Sequence, residues 1–100
     1  MSDTHFVKIT FRPVSEEEIE VLLGEDERLN DLFSNPSTVE YDGYERGRDD
    51  FDMFFYGANA DTMASLIIPE LKKLPFADRG VVFKRYGDPE GAREETTKLE

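Results

Sequence analysis

The hydrophobic positions of this chain recur with a period of two in some stretches and about 3.6 in others, and the changes of period mark its elements. Residues 5–12 place Val7, Ile9 and Phe11 on one side and Phe6, Lys8, Thr10 and Arg12 on the other, the alternation of a half-buried strand. Pro13 ends it, because proline brings no amide to a ladder. Ser15 then opens a helix with Glu18 as its capping-box partner; Val14 and Ile19 can staple the entry, and the first-turn glutamates suit the positive end of the dipole. Ile19, Leu22 and Leu23 begin an apolar stripe that Leu29, Leu32 and Phe33 resume beyond Gly24, so one interrupted helix and two short ones both fit. Glycine at that point costs about 1 kcal/mol relative to alanine. Asn35-Pro36 stops whatever helix remains.

Residues 38–46 alternate Val39 and Tyr41 against Glu40 and Asp42 and lose register at Gly43, which predicts a strand with a bulge. Residues 47–50 have hairpin composition and lead into the most apolar stretch, 51–74. Phe51, Met53 and Phe55 alternate up to Gly57, and beyond it Met63, Leu66, Ile67, Leu71 and Leu74 recur at helical spacing. Asn59 or Asp61 caps this second helix, which Leu74-Pro75 ends; Pro69 lacks the amide that would bond to the carbonyl of Ser65, which predicts a kink or a break. Residues 80–87 form a strand with Val81 and Phe83 on one face and Val82, Lys84 and Tyr86 on the other. Residues 88–91 make a turn, and the polar tail, about 92–100, can pair over 92–98 as a fifth, edge strand. The order β-α-β-β-α-β in a single domain, 1–100, predicts an α+β fold of the ferredoxin-like split βαβ kind: an antiparallel sheet with both helices on one face.

Three phrases, Tyr56-Gly57 before the second helix, Pro69-Glu-Leu71 within it and Arg85-Tyr86-Gly87 after it, resemble those of small uncharacterised bacterial proteins with this pattern of elements. The resemblance covers roughly the second half of the chain and implies no known activity. The plait itself hosts many unrelated functions.

Composition narrows the function classes. With 38% hydrophobic and 12% aromatic residues the chain is too apolar for disorder, although 35% of it is charged. It has no cysteine, which removes disulfides, thiolate catalysis and cysteine-based metal sites and fits the cytoplasm. The beginning lacks a basic and then apolar leader, no run is long enough to span a membrane, and the terminal Leu99-Glu100 resembles an appended remnant and is given no weight. The net charge is −11, and its densest part is the first helix, where eight acids between Ser15 and Phe33 meet only Arg28. Nucleic acids and anionic membranes are therefore poor partners. Glu16, Glu17 and Glu20 offer instead an acidic docking face for a basic protein, or simply a solvated surface.

Catalytic signals are few. His5 is the only histidine and sits at a strand start; no Gly-x-Ser-x-Gly elbow surrounds any serine. Asp49, Asp50 and Asp52 cluster at a hairpin without the spacing of a calcium loop, and read as a turn paired with Arg46 and Arg48. Gly57-Ala-Asn-Ala-Asp61 lacks a phosphate-loop pattern. Neither metal nor cofactor is expected. The feature that stands out is aromatic. Taking Val7, Ile9, Phe11, Phe51, Met53, Phe55, Val81 and Phe83 to face the helices leaves Phe6, Phe54, Tyr56, Val82 and Tyr86 on a face that two helices cannot also cover. The C-terminal tail, a second copy, or a ligand held between two sheets can cover it. The sequence thus predicts a small, acidic, non-enzymatic interaction domain that pairs as a homodimer through this open face. The alternative is a small ligand-binding protein or enzyme of the dimeric α+β barrel kind, with His5, Tyr56 and Tyr86 as its polar groups.

Overall fold

Strand β1 (His5–Phe11) is the middle of a five-stranded sheet in a computed structural model that describes residues 4–34, 38–87 and 91–99. Helix α1 (Glu16–Leu32) leads to β2 (Glu40–Arg46) and β3 (Phe51–Gly57); α2 (Ala60–Leu71) and a short 3-10 turn (Ala77–Arg79) lead to β4 (Gly80–Arg85) and β5 (Glu94–Lys98). The strand order is β2-β3-β1-β4-β5, and every neighbouring pair is antiparallel, giving an α+β architecture. The expected helix stop at Asn35-Pro36 and most of the turn at 88–91 lie outside the described residues.

Side-chain alternation along β1 organises the packing. Val7, Ile9 and Phe11 pair with Phe55, Met53 and Phe51 of β3, and all six are fully buried. Residues directly opposite each other on paired strands share a face. Tyr41, opposite Phe55, donates from its hydroxyl to Asp26 of α1, and Lys84, opposite Val7, donates to Asp61 of α2. Both helices therefore pack on the Val7–Phe55 side. Ile19, Leu22 and Leu29 of α1 and Met63, Ile67 and Leu71 of α2 close the core there.

Strand β4 overturns one expectation. Its register places Gly80, Val82 and Lys84 opposite Phe11, Ile9 and Val7, so Val82 faces the helices at 0% exposure while Val81, at 37%, faces away with Phe83. The alternation was legible, but both sides of the strand are apolar, so its direction was not. Gly80 explains the choice: a Cβ there would lie 2.6 Å from the Leu99 side chain and 2.9 Å from the Phe11 ring, so glycine makes the space those side chains fill. Leu99 is accordingly part of the core at 2% exposure, its amide bonded to the carbonyl of Gly80.

The helices form where caps and stripes direct them. Ser15 and Glu18 make the reciprocal capping box, and α1 then runs unbroken through Gly24, where a Cβ would meet nothing within 4 Å. An exposed glycine only weakens a helix whose stripe, Ile19 to Leu29, stays buried on both sides of it. Asn59, rather than Asp61, caps α2 by accepting from the Thr62 amide at 3.0 Å. Pro69 neither breaks the helix nor extends it: α2 ends two residues later, short of Leu74. The carbonyl left without its amide belongs to Ser65, an exposed residue that water can serve. In β2 the register shifts between Tyr41 and Tyr44, with Gly43 at φ 95°, the expected bulge.

Ion pairs tie the helices to the rest. Glu18 accepts from both guanidinium nitrogens of Arg79, which also donates to the carbonyl of Pro13, and this holds the Glu18 carboxyl below its usual range. Arg28 bridges Glu25 on its own helix and Glu70 on α2, which raises its pKa further. Burial, and then the bond to Asp26, push the Tyr41 phenol well above its usual 10.0.

Two outcomes follow from this packing. Val82→Ala should cost about 2 kcal/mol of stability and Val81→Ala less than about 0.5 in urea unfolding; the reverse order would turn β4 over. Because the folded-state pKa of Tyr41 is raised, its contribution is complete below the unfolded value near 10.0 and is lost as pH rises beyond it. Urea midpoints should therefore fall above about pH 10, and Tyr41→Phe should flatten that fall. An unchanged slope in the variant would contradict the raised Tyr41 pKa that its burial and its bond to Asp26 produce.

Candidate functional site

The face of the sheet turned away from the helices is built by the alternate residues of all five strands. Across one row run Glu40, Tyr56, Phe6, Arg85 and Glu94; across the next, Phe54, Lys8, Phe83 and Thr96; across the third, Glu45, Asp52, Thr10, Val81 and Lys98. Phe6 is the hub, 8% exposed because its neighbours crowd it: its ring centroid lies 5.1 Å from Tyr56 and 6.1 Å from both Phe54 and Phe83. Two cations lie over these rings, Arg85 at 4.8 Å from Phe6 and the Lys8 ammonium at 5.5 Å from Phe83. Asp52 is satisfied by the Thr10 hydroxyl, which donates to it across the β1–β3 pair.

Charge is sorted on this face. Glu40, Glu45 and Asp52 lie on the β2–β3 half, whereas Lys8, Arg85 and Lys98 lie on β1, β4 and β5 with Glu94 as the one acid among them. Among the described residues, neither Lys8 nor Arg85 has a carboxylate within ion-pair distance, although the chain carries 23 acids against 12 bases. Where β1 meets β4 and β5, a surface depression of about 430 Å³ has Val81 and Phe83 in its lining, with Lys8, Arg12 and Thr96 around them.

Of the residues expected on this face, Phe6, Phe54 and Tyr56 are together on it. Val82 is in the core, and Tyr86 is on the helix side, where its hydroxyl donates to Asp61 at 2.6 Å. Phe83, Val81 and Arg85 take their place. Tyr86 belongs instead to a polar cluster at the start of α2. The His5 ring stands edge-on to it at 5.7 Å, the His5 Nδ1 accepts from the Ala60 amide at 2.9 Å, and Lys84 reaches both Asp61 and Glu95. The bonds from Tyr86 and Lys84 hold the Asp61 carboxyl low, while burial and then the bond to Asp61 raise the Tyr86 phenol. His5 and Tyr86 are thus neighbours, and Tyr56 is on the opposite side of the sheet. The cluster's bonds are made internally, which suits a clasp between β1, α2 and β4 more than a reaction centre.

The acidic helix face remains in view of solvent. Glu16, Glu17 and Glu20 are exposed around a depression of about 210 Å³ with Ile19, Leu23 and Arg46, and Arg46 pairs with Glu16 at 3.6 Å. At the hairpin, Asp49 faces Arg12 at 4.0 Å and Asp50 accepts, through its carbonyl, from the Gly47 amide. The expected pairing of this loop with Arg46 is replaced by the Arg46–Glu16 pair. Among the described residues, no three acids or histidines converge as a metal site requires, and no helix is long and apolar enough to cross a membrane.

Sequence reasoning missed Phe83, Val81 and Arg85 for one reason, the inverted direction of β4. The signal that could have found them is Gly80: a glycine beginning a strand beside large aromatic residues marks the crowded, inward side. No family model, no curated protein and no solved structure matches this chain.

Proposed function

We propose that this protein is a small acidic interaction domain, not an enzyme, that associates with a second copy of itself through the open sheet face. The observation that carries the reading is the aromatic group of Phe6, Phe54, Tyr56 and Phe83, which spans three strands on the face without helices, Phe6 buried among the others and the other three half-buried, with only the Lys8 and Arg85 side chains over the rings. The C-terminal tail is the segment that could have folded over it, and β5 instead extends the sheet edge beside β4. Contiguous apolar patches of this kind are rarely left bare.

The aromatic rows supply the self-complementarity: a twofold axis running along β1 between two facing sheets lays Phe54 of one copy over Phe83 of the other and Glu45 over Lys98, while Lys8 meets Lys8 and Glu40 meets Glu94, so apolar contact rather than charge carries the isologous pairing. The strand order β2-β3-β1-β4, in which β2 and β1 run parallel on either side of β3, supports a ferredoxin-like plait with β5 added to it. A chain without cysteine is suited to the cytoplasm.

Sedimentation of the native chain at high micromolar concentration should give a dimer. Phe54→Asp combined with Phe83→Asp should give a folded monomer, with association weakened more than about a hundredfold, because four charges would enter one interface. A native chain that sediments as a monomer across that range removes the proposal.

A further inference from the structure

We infer that the depression between β1, β4 and β5 is a binding site for a small organic carboxylate with an apolar body. It is made by one chain, on the face through which the chain is proposed to pair, so pairing covers it and the ligand competes with a second copy. Val81 and Phe83 supply an apolar surface on which a flat or aliphatic body can lie, and Val81 is more than a third exposed with nothing of the described chain over it. At about 430 Å³ the depression falls within the size range of small-molecule sites.

The polar groups around that surface select the ligand's charge. Arg79 has its charge paired with Glu18 and also donates to the carbonyl of Pro13, and the Thr10 hydroxyl donates to Asp52, so Arg79 offers no unpaired charge and Thr10 no free hydroxyl proton. Three groups remain. Lys8 is a half-buried residue whose ammonium lies over Phe83 and has no carboxylate within ion-pair distance among the described residues. Arg12 is mostly exposed, with Asp49 only at 4.0 Å. Thr96 presents an exposed hydroxyl. In a chain of net charge −11, a half-buried lysine left without an acid beside an apolar surface is complementary to an anion arriving from outside. One unpaired cation, Lys8, with the loosely paired Arg12 beside it, matches a monoanion. A polyphosphate or nucleic acid would require more cations and would meet repulsion from the rest of the surface.

The test is an amide-resolved NMR titration of the full chain carrying Phe54→Asp, which lies outside the depression and keeps the chain unpaired, with phenylbutyrate, with phenylbutanol as the same body without charge and acetate as the charge without the body. Phenylbutyrate should shift the amides of Lys8, Val81, Phe83 and Thr96 saturably, and both controls should bind at least about tenfold more weakly. Lys8→Met should reduce phenylbutyrate to the level of the alcohol and leave the alcohol's own binding unchanged. Equal binding of acid and alcohol, shifts centred elsewhere, or no saturable shift would each overturn the inference. Sedimentation of the native chain reads pairing separately: a native chain that is a monomer while the acid binds removes only the dimer, and a native dimer that phenylbutyrate does not dissociate, with no binding to the unpaired variant, removes only this site.

Discussion

A sheet has two faces, and this chain has two helices, whose apolar stripes suffice for one of them. Everything else follows from how β1 divides its side chains between the two. Val7, Ile9 and Phe11 go to the helices and are fully buried, while Phe6, Lys8 and Thr10 go to the other side. The hydrophobic effect fixes the first set. The second contains Phe6, buried among Phe54, Tyr56 and Phe83 with Arg85 over its ring, so on this side an aromatic cluster with cations above it takes the place of a helix layer.

Both edges of the sheet are built against the addition of a further strand. β2 is interrupted by the Gly43 bulge, and β5 consists of Glu, Thr and Lys residues, both devices that discourage strand-to-strand addition. The helix side is closed by ion pairs that join distant parts of the chain: Glu18 with Arg79, Arg28 with Glu70, and Asp61 with Lys84. Glu18 serves twice, completing the helix cap and anchoring the turn before β4, so one residue links the start of α1 to the position of the strand that lies beside β1. What these contacts leave without a layer of helix over it is the aromatic face, with Glu40, Glu45 and Asp52 on one half and Lys8, Arg85 and Lys98, beside Glu94, on the other.

Most of the architecture was legible because it rests on local signals. The period of two in β1 and β3, the capping box at Ser15 and the loss of register at Gly43 each specify an element without reference to the rest of the chain. Where two local answers were of similar energy, the sequence could not decide. Gly24 fitted either a break or a continuous helix, and burial of Ile19 and Leu29 on either side of it settled the matter for continuity. Val81-Val82-Phe83 is apolar on both sides, and its direction depends on Gly80 making room for Phe11 and Leu99, a contact between residues far apart in sequence. The candidate face was therefore half legible: β1 and β3 supplied Phe6, Phe54 and Tyr56, and the inversion of β4 exchanged Val82 and Tyr86 for Val81, Phe83 and Arg85.

The central claim is that the aromatic face of one chain lies against the same face of another. Isotope-filtered NOE spectroscopy on an equal mixture of carbon-labelled and unlabelled chains reads this directly, because only contacts between copies pass the filter. The account predicts cross-peaks linking the rings of Phe6, Phe54 and Phe83 in one copy to those residues and to Val81 in the other. Cross-peaks confined to α1 or to the strand edges, or none at concentrations where the rings remain in view of solvent, would contradict it.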